Sequence, residues 1–365
     1  MIPQNKKRTE FLISSRRQFI KSAGGAAVVT LSPQLLGMTR KSGGGRPLVG
    51  SGEHQFEVIH DWGKLPKHIR YGNTHGICED SQENIYVHHS VHSSSDVPDS
   101  LVIFDSEGRF VGSWGKEYQG SAHGLHLQRE GSEEFLYLSA RDYKDLDRNI
   151  VVKTTLKGEV VFSLGYPKES EHYKQDAEGR PLTKYHPTNL AIAPNGDIYV
   201  ADGYGSSYIN QYDREGRFIR SFGGEGTGPG QLSGPHGITL DTRGEAPLLL
   251  VADRTNNRLQ YFTLEGKHVR FVAGVNLPCH FDERNGILLI PDLAARVTLM
   301  DRNDRVLSHL GEGPADFREV RKEPRSAFPM GKFISPHDAC FDHEGNIFVA
   351  EWIPIGRVTK LRRLS

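Results

Sequence analysis

The stretch 186-HPTNLAIAPNGDIYVADGY-204, continued by 208-YINQYDREGRFIRSFGG-224, decides the fold. It opens on a histidine and runs through a short apolar strand to the turn residues Pro194, Asn195 and Gly196. A second apolar strand ends Val200-Ala201-Asp202, a third follows, and a D-x-x-G turn at 213–216 leads to a fourth. Four short runs punctuated by Gly, Pro, Asn and Asp describe one four-stranded antiparallel meander.

The same template recurs on both sides. Upstream, 75-HGICEDSQENIYVHHS-90 is followed by 101-LVIFDSEGRFVGSWG-115, and 123-HGLHLQREGSEEFLYLSAR-141 by 150-IVVKTTLKGEVVFSLG-165. Downstream, 236-HGITLDTRGEAPLLLVADR-254 is followed by 258-RLQYFTLEGKHVRFVAG-274. The series ends with 280-HFDERNGILLIPDLA-294 and 296-RVTLMDRNDRVLSHLG-311, then 337-HDACFDHEGNIFVAEW-352 and 357-RVTKLRRL-364. The repeat histidines His75, His123, His186, His236, His280 and His337 are spaced by 48, 63, 50, 44 and 57 residues. That period belongs to propeller blades. The expected fold is all-β, a six-bladed β-propeller over residues 51–365. The last repeat lacks its outer strand, and 55-QFEVIHDWG-63 has the outer-strand pattern, so an N-terminal strand is expected to close the ring and cover two sheet edges.

Composition agrees. The 365 residues carry 45 basic and 45 acidic groups, which gives no net field to draw nucleic acid or an anionic membrane. With 40 glycines, 19 prolines and 4 methionines, the chain suits strands and tight turns. Three cysteines (Cys78, Cys279 and Cys340) cannot make a paired disulfide framework. The H-x-x-C spacing at Cys78 and Cys340 places histidine and cysteine on opposite faces of a strand, so they should not share a metal.

Each repeat histidine is expected to begin an innermost strand and to face the axial channel. Alternate blades sit about 120° apart, so three imidazoles from every second blade can meet and leave a fourth position open, as catalytic zinc sites do. Geometry allows two triplets: His75, His186 and His280, or His123, His236 and His337.

Two resemblances extend this reading. The segment 15-SRRQFIK-21, followed by the apolar 23-AGGAAVVTL-31, resembles a twin-arginine export signal. It implies a periplasmic or cell-envelope protein, with residues 1–31 as signal, 32–50 as flexible linker and no spanning segment beyond an uncleaved signal. The D-x-x-G-[KR]-[FV] pattern resembles NHL repeats. Within them, HGL at 123–125, GQLSGPHGITL at 230–240 and SPHDACFDHEGNIFVAE at 335–351 resemble the peptidyl-α-hydroxyglycine α-amidating lyases.

That family is a six-bladed propeller holding zinc on three histidines. The resemblance implies His123, His236 and His337 as zinc ligands, Tyr204 as catalytic base and Arg254 as substrate clamp. It also implies a structural calcium on Asp338 and the carbonyls of Ile77 and Leu125. Departures are Ser90 in place of a second active-site arginine, Ser335 in place of a methionine, and the absence of the family's disulfide cysteines, with Gly205 where one would stand. Arg141 occupies in blade two the place of Arg254 in blade four, and is expected to replace the missing cation. His88, His89 and His92 are expected on a rim loop. The implied activity is C–N cleavage of an α-hydroxyglycine-type carbinolamide, releasing glyoxylate, by a monomer acting on a small-molecule or peptide substrate. A non-catalytic propeller that binds peptide, glycan or protein is the alternative. Lactone hydrolysis is a third reading, disfavoured because such sites use carboxylate-held calcium.

Overall fold

The computed structural model describes residues 45–141 and 149–364. The export signal expected at 1–31 lies outside them, as does most of the expected linker. Six antiparallel sheets follow one another along the chain. Blade one runs from Thr74 to Trp114, blade two from Ala122 to Leu164 and blade three from Asn189 to Gly223. Blade four runs from Pro235 to Val272 and blade five from Asp282 to Leu310. Blade six takes Pro336–Phe341, Ile347–Glu351 and Arg357–Arg363, and is completed from the N-terminal side. The six-bladed propeller read from the repeats is the observed fold.

His54–Ile59 supplies the fourth strand of blade six, pairing Val58 with Leu361. Leu48–Ser51 adds a fifth, pairing Leu48 with Glu57, so the sheet begins inside the stretch read as linker. Alternation explains the closure. Phe56 and Val58 point into the core with Leu310, Phe333 and Leu361, while Gln55, Glu57 and Ile59 between them are only half-buried.

Two features recur among the blades. In the outer hairpin of blade three, Asp213 Oδ1 accepts the amides of Glu215 (3.0 Å) and Arg217 (2.9 Å), and Gly216 takes the left-handed φ of 79° that the turn requires. At the end of the second strand, a buried acid ties down the segment that leads into an innermost strand. Asp202 accepts the amide of His186 at 2.7 Å, Asp253 that of Ser233 at 2.7 Å, and Glu351 that of Ile334 at 2.8 Å. The acid that ends each V-A-D or V-A-E strand therefore anchors the approach to the axis.

Phe56→Ala should cost about 3–5 kcal/mol in urea unfolding, because it empties a packed site in the closing blade. Val111→Ala, at a side chain 58% exposed in an outer strand, should change stability by less than about 0.5 kcal/mol. Equal losses would contradict closure by the N-terminal strand.

Candidate functional site

Innermost strands pack side by side between blades six and one, one and two, two and three, three and four, and five and six. Four repeat histidines lie on them: His75 on Thr74–Glu79, His123 on Ala122–Glu130, His236 on Pro235–Asp241 and His337 on Pro336–Phe341. Each is the second residue of its strand, not the first as expected. His186 and His280 precede the innermost strands of blades three and five, which start at Asn189 and Asp282. Their rings are bound elsewhere, His186 Nδ1 to Asn149 Oδ1 (2.9 Å) and His280 Nδ1 to Asn189 Nδ2 (2.8 Å). The triplet His75, His186 and His280 is therefore not assembled.

His123, His236 and His337 form a triangle, with ring centroids 4.7, 4.7 and 4.9 Å apart. Each makes the same bond with its outer nitrogen. His123 Nδ1 donates to the carbonyl of Thr188 (2.8 Å), His236 Nδ1 to that of Cys279 (2.9 Å) and His337 Nδ1 to that of His75 (2.8 Å). A carbonyl only accepts, so Nδ1 carries the hydrogen and Nε2 keeps its lone pair. Metal-binding histidines are commonly oriented by such a second hydrogen bond.

Glycine makes two of these bonds possible. A Cβ on Gly124 would lie 2.5 Å from the Thr188 carbonyl oxygen, and one on Gly237 would lie 2.4 Å from that of Cys279. The dipeptide His-Gly thus supplies a donor and the space for its acceptor to approach. Blade six has Asp338 in place of glycine. Its carboxylate accepts the amides of Ile77 (2.9 Å) and Ala339 (2.8 Å), which straps blade six to blade one.

Burial sets the protonation. It holds His123, His236 and His75 far below the ordinary imidazole range, helped by neighbouring imidazoles and by Arg141 or Arg254. It brings His337 down to about 3. The rings are neutral at pH 7, the form that binds metal. His123 Nε2 is buried without a hydrogen-bond partner, and the ligand nitrogens of His75, His123 and His337 lie within 4.8 Å of one another. An orphaned lone pair beside other lone pairs fits a cation. The three imidazoles so grouped are His75, His123 and His337, with the His236 ring adjoining that of His123; this cluster can hold a metal ion.

Tyr204 adjoins the cluster. Its hydroxyl donates to His236 Nε2 at 3.1 Å, and its ring lies edge-on to His123. The Arg141 guanidinium sits 4.2 Å and that of Arg254 5.0 Å from the ring centroid. The neighbouring carboxylate of Asp253 is taken by Arg258 (2.6 Å), Asn256 and Gln260, so Arg254 is turned toward Tyr204. Tyr204, Arg254 and Arg141, nominated from separate blades, meet here.

Other nominated residues stand differently. Ser90 Oγ accepts the amide of Asn73 at 2.9 Å and shapes a turn. Ser335 is fully buried with its hydroxyl unpartnered. His88 and His89 end an inner strand and are fully buried, which corrects their assignment to a rim loop; only His92 lies beyond the strand, beside Ser94. Cys78 and Cys340 pack in the cores between blades. Asp338, Ile77 and Leu125 are neighbours, with Gly76 packed on Leu125. Calcium takes six to eight oxygens, waters included, so these three would form part of such a shell. The acceptor carbonyls of Thr188, Cys279 and His75 have no side-chain signature; the adjoining His-Gly pairs were the available signal for the first two.

No family model matches this chain. It is similar to the human NHL repeat-containing protein 3, 27% identical over 205 residues, which cover 54% of this chain and 54% of that protein. It is also similar to the Drosophila melanogaster peptidyl-alpha-hydroxyglycine alpha-amidating lyase 1, 27% identical over 283 residues, or 70% of this chain and 47% of the lyase. Similarity to the rat peptidylglycine alpha-amidating monooxygenase is 25% over 332 residues, 82% of this chain and 31% of that protein. The chain thus spans about half the length, or less, of these relatives. Among solved structures it resembles virginiamycin B lyase from Staphylococcus aureus, with TM-score 0.53 and 14% identity over 84% of this chain and 100% of that one. A likeness at that identity concerns the fold alone.

Two outcomes follow from the site's geometry. Gly124→Ala should cost about 1–3 kcal/mol in urea unfolding by forcing the Thr188 carbonyl away. Gly112→Ala, with nothing near its Cβ, should be neutral or stabilising; equal costs would contradict the close approach. The metal-free protein should also lose stability as pH falls from 6.5. Among the described residues eight buried imidazoles are depressed: His75, His123 and His236 strongly, His88 to about 4, His89, His280 and His337 to about 3, and His186 as well. Between pH 6.5 and about 3 the unfolded chain takes up protons there that the folded chain refuses. Asp202, Asp282 and Asp292, raised to about 6 by burial, and Asp338, raised well above its ordinary value, oppose this but are fewer. Denaturant midpoints that rise from pH 6.5 to 4 would contradict the neutral-ring assignment.

Proposed function

We propose that this chain is a metal-dependent lyase that cleaves a carbinolamide of the α-hydroxyglycine type, R–CO–NH–CH(OH)–COO⁻, into an amide and glyoxylate. The observation that carries the reading is the meeting of the Arg141 and Arg254 guanidiniums at the Tyr204 ring, with its hydroxyl on His236. Sequence similarity to amidating enzymes over much of the propeller supports it.

His123, His236 and His337 would hold the ion through Nε2. When bound there, a divalent ion supplies a Lewis acid that polarises the substrate hydroxyl and lowers its pKa. Imidazole donors suit zinc, and the reading names zinc accordingly. Arg254 and Arg141 bind the substrate carboxylate, for which a guanidinium offers two parallel N–H donors. The two cations come from blades four and two, so Arg141 stands in for the arginine that Ser90 replaces. With His236 Nε2 given to the ion, Tyr204 would lose its own proton to solvent and, as the phenolate, take the hydroxyl proton. The freed electron pair on oxygen forms the aldehyde C=O of glyoxylate, the C–N bond breaks, and the proton passes to the departing nitrogen. Atoms and charge balance without an oxidant or water. An exported protein of this kind acts in the periplasm or cell envelope as a monomer.

The test is glyoxylate release from an N-acyl-α-hydroxyglycine by the Zn²⁺-loaded full chain. Tyr204→Phe should lower kcat by about 10²–10⁴, the usual worth of general acid–base catalysis. Arg254→Ala and Arg141→Ala should raise KM more than they lower kcat. An active protein whose Tyr204→Phe variant keeps its kcat would contradict the assigned base, and no turnover by the loaded wild type would leave a binding propeller.

A further inference from the structure

His75 is the one member of the second triplet that behaves like the first. His75, His123, His236 and His337 are each the second residue of an innermost strand, and each sits at a break in strand pairing. The register jumps from Thr74 to Gly76, from Ala122 to Leu125, from Pro235 to Ile238 and from Pro336 to Asp338. A bulge bends its strand and re-aims the extra residue, so these four side chains leave the regular alternation together. His186 and His280 lack this device and bind amide side chains instead.

The His75 ring is 4.9 Å from that of His337 and 5.4 Å from that of His123, centroid to centroid. Its Nδ1 is buried without a hydrogen-bond partner, whereas Nδ1 of His123, His236 and His337 each finds a carbonyl. Its ligand nitrogen lies within 4.8 Å of those of His123 and His337. Two nitrogens on one ion at about 2.1 Å each can be at most about 4.2 Å apart, so modest inward movement closes the gap. The carbonyl of His75 also orients His337, which couples the two rings through one residue.

We propose that His75 is a fourth imidazole of the metal centre, with His123, His236 and His337. The inference rests on the metal site in the reading above, and not on the lyase reaction. Four neutral ligands leave the full charge of the ion uncompensated, beside Arg141 and Arg254, and a substrate oxygen would then take a fifth position. Such a centre selects an anionic substrate and suits the metals that favour imidazole.

The test uses the full chain loaded with Co²⁺ and proton NMR in water. Each bound imidazole contributes one strongly shifted ring N–H signal that disappears in D₂O. Four are expected in the wild type. His75→Gln should remove one and weaken Co²⁺ binding at least about tenfold, the lower end of what even outer-shell changes cost. His280→Gln should change neither. Three signals in the wild type, all kept in His75→Gln, would overturn the fourth ligand and leave the three-histidine site standing. Failure of the wild type to bind Co²⁺ would overturn both. Should His75→Gln not fold, the wild-type count decides alone.

Discussion

Three hydrogen bonds from imidazole Nδ1–H to backbone carbonyl hold the centre of this molecule in place. His123 reaches from blade two to Thr188 at the edge of blade three, His236 from blade four to Cys279 ahead of blade five, and His337 from blade six to His75 in blade one. Each joins an even blade to the next. The carbonyls can come close because Gly124 and Gly237 carry no Cβ. The bonds fix the tautomer, and the tautomer leaves each Nε2 as a lone pair in a buried place. Blade packing and metal competence are thus one constraint.

Much of the fold was legible because the physics repeats. A four-strand template at blade spacing, a D-x-x-G turn that an Asx bond and a left-handed glycine require, and an orphan outer strand at Gln55–Gly63 led to six blades and their closure. The fifth strand at Leu48–Ser51 was not legible, since LVGS borders glycine-rich sequence and gains order only by pairing with His54–Ile59.

The site was half legible. Repeat position nominated six histidines, and alternate-blade geometry reduced them to two triplets; resemblance alone chose His123, His236 and His337. What separates the triplets physically is the carbonyl partner of Nδ1, and it leaves no mark on the histidine itself. His75 was nominated in the other triplet, and nothing in the sequence placed its ring beside those of His123 and His337. His88 and His89 looked like loop residues because serines follow them, yet they end a strand and are fully buried. Tyr204, Arg254 and Arg141 were nominated from separate blades and converge, two cations over one phenol ring. Ser90 accepts the amide of Asn73 and shapes a turn, and the guanidinium closest to the Tyr204 ring is that of Arg141 in blade two.

The central claim is that the axial histidines hold a metal ion. The direct measurement is elemental analysis of the purified wild-type protein beside the triple variant at His123, His236 and His337, each replaced by alanine. The account predicts close to one equivalent of a divalent transition metal in the wild type and almost none in the triple variant, with both still folded by circular dichroism. Equal metal content in the two proteins would contradict it.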